Sequence, residues 1–163
     1  MKLIYTFLIL CCWLSGSVHA QRLSINDCWK FAKGNIDMSM LSQQAVWTNI
    51  TLPHTWNGYD GQDGGDDYYR GTGWYMRALS FDKNDRGKCI YLRFGAANYL
   101  TEVYLNGVSI GTHSGGYTAF AFDITPFVRY DMSNQLLVKV SNADGLPIPP
   151  LSADFTFFGG LIR

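Results

Sequence analysis

Apolar and polar residues alternate in short runs along most of this chain, and the clearest pair of runs flanks Asn106-Gly107. Asn-Gly between two alternating segments predicts a two-residue hairpin, because a type I′ turn needs positive φ at both central positions and these residues tolerate it best. Residues 103–105 and 108–110 are therefore expected to pair antiparallel. Gly115-Gly116 breaks that pairing, and 119–124 alternates again with Phe120, Phe122 and Ile124 on one face, so three successive strands are expected as a meander. Further alternation predicts strands over 46–52, stopped by Pro53, over 74–81, over 89–94 with Ile90, Leu92 and Phe94 inward, and over 135–141 with Leu136, Val138 and Val140 inward. Residues 23–26 and 28–31 read as one or two short edge strands and 33–44 as a polar loop. At 125–128 the Thr125 hydroxyl is expected to accept from a free backbone amide, with Pro126 in first helical position. No stretch carries a 3.6-residue period over a usable length. Short strands at this spacing point to an all-β sandwich or barrel.

The first twenty residues are of another kind. Lys2, an apolar run over 3–14 and the small-residue end Val18-His19-Ala20 form a secretory leader with cleavage expected after Ala20, leaving 21–163 as one domain. The apolar run is too short to span a bilayer, and no later run serves a membrane. Export to a periplasm or the outside is the expected localisation. Thirteen basic residues balance thirteen acidic ones, so nothing steers the protein to nucleic acid. Of the four cysteines, Cys28 and Cys89 follow the leader; an oxidising compartment permits a bridge between them, and whether they pair stays open. Without CxxC or HxxxH spacing no metal is expected, and no motif asks for a cofactor.

Candidate chemistry lies at one place. From Asn57 to Gly73 glycines and aspartates alternate, a long loop that ends in Tyr68-Tyr69-Arg70 and runs directly into an aromatic strand. Loops of that length inside a compact domain are usually functional or disordered, and the Tyr68-Tyr69-Arg70 end favours function here: Trp56, Tyr59, Tyr68, Tyr69 and Trp74 offer flat apolar faces for a sugar ring while Arg70 and carboxylates can take hydroxyls. For the rings on strands, core packing is the larger share of that reading. Hydrolysis by two carboxylates is not self-contained here, since Glu102 is the only glutamate and reads as an outward charge beside the hairpin. His54 and His113 stand in no nucleophile frame, and His54 reads as a structural hydrogen-bonding residue at a strand end.

Six segments, in order, give a resemblance. Leu52-Pro53-His54-Thr55-Trp56-Asn57, Tyr69-Arg70-Gly71-Thr72-Gly73-Trp74-Tyr75, Val103-Tyr104-Leu105-Asn106-Gly107, Gly115-Gly116-Tyr117-Thr118-Ala119-Phe120, Asp123-Ile124-Thr125 and the stretch from Asp154 to Gly159-Gly160-Leu161-Ile162-Arg163 together resemble the N-terminal domain of glycoside hydrolase family 2, the β-galactosidase family. The resemblance implies a jelly-roll sandwich, a sugar-binding domain. It implies an immunoglobulin-like domain and a barrel with two catalytic glutamates downstream, so the sandwich is expected to lack its last strand or strands and the chain to be the first part of a longer, truncated product. Carried over by position, Asp154 is implied to reach the nonreducing sugar in the barrel's site, and Arg70 to approach the same site. No catalytic residue is implied in this chain.

The expected function is thus the sugar-binding part of an exported hydrolase of terminal β-glycosides, β-galactosides first, its partners the carbohydrate and the downstream domains. A secreted carbohydrate-binding module acting alone is the competing reading.

Overall fold

The computed structural model describes residues 20–60, 62, 64, 68–143, 145 and 158–162. The leader, most aspartates of the Gly/Asp loop, and Asp154 lie outside them. The chain forms an antiparallel β-sandwich. One layer is a six-stranded sheet in the order β2-β1-β4-β10-β7-β8, with β1 at Trp29–Lys33, β2 at Thr48–Ile50, β4 at Thr72–Ser80, β7 at Leu100–Leu105, β8 at Val108–Ser114 and β10 at Ser133–Ser141. The other comprises β3 (His54–Thr55), β11 (Gly160–Leu161) and β6 (Ala97–Asn98) in the order β3-β11-β6, beside a ribbon of β5 (Tyr91–Phe94) and β9 (Phe120–Asp123). At the centre β4 and β10 pair without a slip from Ser80↔Ser133 to Thr72↔Ser141.

Period-two alternation places Phe31, Tyr75, Val103, Leu105, Leu136, Val138 and Val140 of the large sheet against Leu92, Phe94, Ala97 and Leu161 of the other layer, all buried. Removing each such side chain from water contributes roughly 1.5–3 kcal/mol, which is why the inward sets expected for β5 and β10 hold. The outward set does not stay outward. Leu137 and Trp74 are buried on the opposite face of the same sheet under residues 36–47, which carry one helical turn at Leu41–Gln44, and the Trp74 indole N–H donates to the Ile36 carbonyl at 3.0 Å. The polar loop of the sequence is a cover.

The Asn106-Gly107 turn has φ of 55° and 81°, as the type I′ geometry demands, and β7 pairs with β8 across it with a bulge at Val103/Tyr104. The expected meander is corrected. β9 does not continue from β8 but crosses to the other layer and pairs with β5, Phe94 opposite Phe120 with rings stacked at 4.9 Å, because its apolar face must reach the core from that side. The amino-terminal expectation is corrected too. Residues 23–26 form no strand, and β1 sits inside the sheet between β2 and β4. The Thr125 hydroxyl does accept a backbone amide, but that of Ile90 across the ribbon at 2.7 Å rather than one in its own turn. Cys28 and Cys89 are exposed and unbridged.

His54 is the structural residue expected, its Nδ1 2.9 Å from the Tyr75 hydroxyl. Burial lowers its pKa from the ordinary value of 6.5. The unfolded chain therefore takes up this proton at a higher pH than the folded one. Stability is expected to fall as pH drops below about 6.5 and to level once the folded imidazole is protonated as well. Urea midpoints between pH 7.5 and 5 should show this fall, and His54→Asn should flatten it. An unchanged pH profile in that variant would remove His54 as the cause.

Candidate functional site

The candidate face is built around two buried asparagines. Asn57, at the start of the Gly/Asp loop, donates through Nδ2 to Asp60 at 2.6 Å and to the Tyr69 carbonyl at 2.8 Å, while its Oδ1 accepts from the Gly159 amide at 2.7 Å and from Asn142 at 3.3 Å. It thereby closes the loop and ties both ends to the last described strand. Asn142, just beyond β10, accepts from the Gly71 amide at 2.8 Å and donates its own amide to the Gly71 carbonyl at 3.0 Å. Between these anchors lies Arg70, whose Nε donates to the Asn142 carbonyl at 3.4 Å.

The rings offered by the sequence divide. Trp56 and Trp74 are core. Tyr69 is folded into the scaffold: its hydroxyl donates to the Thr72 carbonyl at 3.0 Å and accepts from the Thr72 amide at 3.2 Å, with Lys33 5.0 Å from its ring centroid. Tyr59 is 78% exposed at the loop. Tyr68 faces Arg70, and burial pushes its phenol up to about 12 against the opposing pull of that guanidinium.

Three further residues join Arg70 and Tyr68. Tyr99 is buried beside them, with burial raising its pKa above the ordinary value of 10, and Tyr117 is close enough to act on both phenols. Phe158 meets Tyr68 edge-on at 6.3 Å. Fully buried Asn98 holds this side together, its Nδ2 donating to the Phe158 carbonyl at 2.7 Å and lying 3.5 Å from the Tyr117 hydroxyl. A side chain at Gly116 would strike Asn98 and Tyr99, so the loop carrying Tyr117 sits directly on that amide. Sequence reasoning missed Tyr99, Tyr117 and Phe158 as site residues. The one signal available was Gly115-Gly116 ahead of Tyr117, a backbone that must approach something closely.

On its other side Arg70 borders a hollow of about 480 Å³ that also includes Asn35, Glu102, Lys139 and Ser141. Glu102 is engaged, accepting from Lys139 at 2.9 Å and from the Tyr104 hydroxyl at 2.6 Å. Burial pushes its carboxyl up, yet these two bonds outweigh it and hold the pKa below the usual value. The hydrogen bond to Glu102, helped by burial, pushes the Tyr104 phenol up to about 12. In Glu102→Gln the Tyr104 midpoint is expected to move back toward 10 in an ultraviolet titration, with less than about 1 kcal/mol lost from this solvent-facing pair. A midpoint that stayed put would contradict the assignment.

Chemically the face can bind flat apolar rings and anions or hydroxyls. Among the described residues no three His, Cys, Asp or Glu side chains gather as a metal would require, and no helix is long and apolar enough to cross a membrane. His113 contacts the Thr118 hydroxyl at 3.2 Å and stacks on Phe120, apart from His54, so no triad forms among the described residues.

Comparison with known proteins bears on the family and the fold. Residues 17–152 match the family model described as glycosyl hydrolases family 2, sugar binding domain. The chain is 41% identical to a β-glucuronidase of Bacteroides fragilis, covering 99% of this chain and 23% of the relative. It is 35% identical to a β-galactosidase of Bacteroides ovatus, over 76% of this chain and 16% of that one. The crystal structure of a Bacteroides uniformis β-glucuronidase superposes with a TM-score of 0.75 at 47% identity, over 86% of this chain and 17% of its own. The chain thus spans about a fifth of the length of these proteins.

Proposed function

The chain belongs to the sugar-binding domains of glycosyl hydrolase family 2, and from that premise we propose that it forms the sugar-contacting domain of an exported hydrolase of terminal β-glycosides. The observation that carries the reading is Arg70, a permanent cation anchored at the Asn142 carbonyl beside the partly buried ring of Tyr68. Arginine presents five donors in a fixed fork, suited to the hydroxyls of a pyranose and above all to a carboxylate. Of the two sugars named among the relatives, a β-glucuronide brings that carboxylate and is the substrate class proposed first; the β-galactoside of the initial expectation is the second, supported by the Bacteroides ovatus relative. The chain supplies contacts rather than chemistry, since Glu102, its one glutamate, is held by Lys139 and Tyr104. Asp154 belongs to the same proposal as a second sugar contact, and the leader over 1–20 is the support for export.

Binding decides it. Methyl β-glucuronide added to the chain is expected to shift the NMR signals of Tyr68 and Arg70. Arg70→Gln should weaken that binding roughly tenfold in a variant that still unfolds cooperatively. Methyl β-galactoside binding more tightly than the glucuronide would exchange the two substrate readings. Release of aryl alcohol from either aryl glycoside by the purified chain would overturn the claim that it performs no chemistry alone.

A further inference from the structure

We propose that Tyr117, with Phe158 beside it, forms a second ring-binding position next to Arg70, one that takes the leaving-group ring of the glycoside. This rests on the reading that Arg70 contacts the terminal sugar. A terminal sugar is joined to only one other group, so any second ring held on the same face belongs to the leaving group.

Tyr117 is 69% exposed and Phe158 46%, large apolar areas for surface residues, and a lone exposed ring would need no explanation. These two are not scattered. The Nδ2 of one buried amide, Asn98, lies 2.7 Å from the Phe158 carbonyl and 3.5 Å from the Tyr117 hydroxyl, so the two segments are held at a common point. The loop ahead of Tyr117 is seated as tightly, since Gly116 leaves no room for a side chain against Asn98 and Tyr99. Tyr68 links the pair to Arg70, its ring edge-on to Phe158 and its phenol within electrostatic reach of the guanidinium. Two open rings on a fixed backbone, beside a cation, form a platform whose apolar faces suit an aryl group or the C–H face of a sugar, ordered in advance at little entropic cost.

The test compares phenyl with methyl β-glucuronide, which share the sugar and differ only in the leaving group, by calorimetry on the whole chain. The wild type is expected to bind the phenyl compound about fivefold more tightly, the size of one aromatic contact. Tyr117→Ala and Phe158→Ala should each remove most of that ratio, read against each variant's own affinity for methyl β-glucuronide, and Tyr117→Phe should keep it, because the ring and not the hydroxyl makes the contact. An unchanged ratio in Tyr117→Ala, with the methyl compound still bound, overturns this inference alone. An equal loss in Tyr59→Ala, an exposed ring on the loop, overturns it as nonspecific adhesion. Failure of the wild type to bind methyl β-glucuronide overturns the Arg70 reading and this one with it.

Discussion

Asn57→Ala is expected to destabilise the domain by about 3–5 kcal/mol, a large part of the 5–15 kcal/mol by which domains of this size are stable. The side chain is fully buried and serves four partners: Asp60, the Tyr69 carbonyl, the Gly159 amide and Asn142. Truncation removes a bond to a carboxylate, worth more than a neutral one, and strands the buried Gly159 amide, whose desolvation then goes uncompensated. Asn57→Asp is the sharper variant. It keeps the shape but turns the Nδ2 donor into an acceptor facing the Asp60 carboxylate and the Tyr69 carbonyl, so it is expected to cost at least as much as alanine. Urea melts would read both losses, and trypsin should begin to cut after Arg70 as the loop opens. A loss under 1 kcal/mol in both variants would mean that Asn57 is not the clasp of this loop.

How far the sequence foretold this arrangement depends on the distance over which its signals act. The alternation in β5, β7 and β10 and the Asn106-Gly107 turn are local, and local steric and burial rules sufficed for them. Asn106 does more than turn, since its side chain also bonds the Phe127 carbonyl, Asn134 and the Gln135 amide, and nothing in a dipeptide announces that. The crossing of β9 to the second layer was not legible, because an alternating strand fits either neighbour until the core chooses. Period two puts Leu137 on the outward face of β10, and the cover over 36–47 buries that face without any periodicity of its own. At the site, Arg70 was reached through its motif, whereas Asn57 and Asn98 are polar residues whose burial only the assembled fold reveals. Tyr117 and Phe158 lie forty-one positions apart and are brought together at Asn98.

Gly159→Ala is expected to cost about 3 kcal/mol, at the upper end for an inserted methyl group. A Cβ there would fall onto the Trp56 indole and within 2.8 Å of the Asn142 Nδ2. Neither can give way easily. The indole is buried, stacked on Phe31 at 5.9 Å and met edge-on by Tyr69 at 6.4 Å, while Asn142 is committed to Gly71 and Asn57. Gly159 cannot retreat either, because its amide donates to Asn57 and its carbonyl accepts from Thr55 at 2.7 Å and from the Trp56 amide at 3.3 Å. The cause is steric, so it can be separated from any loss of backbone freedom. Trp56→Phe shortens the ring where the collision occurs, and the double variant should be more stable than the sum of the two single losses by more than 1 kcal/mol. Additive losses would show that Gly159 is required for its backbone conformation and not for the space the indole occupies. If the coupling is found, the same clash displaces Asn142 from Gly71, and Arg70→Gln should then weaken methyl β-glucuronide binding less in the Gly159→Ala background than in the wild type.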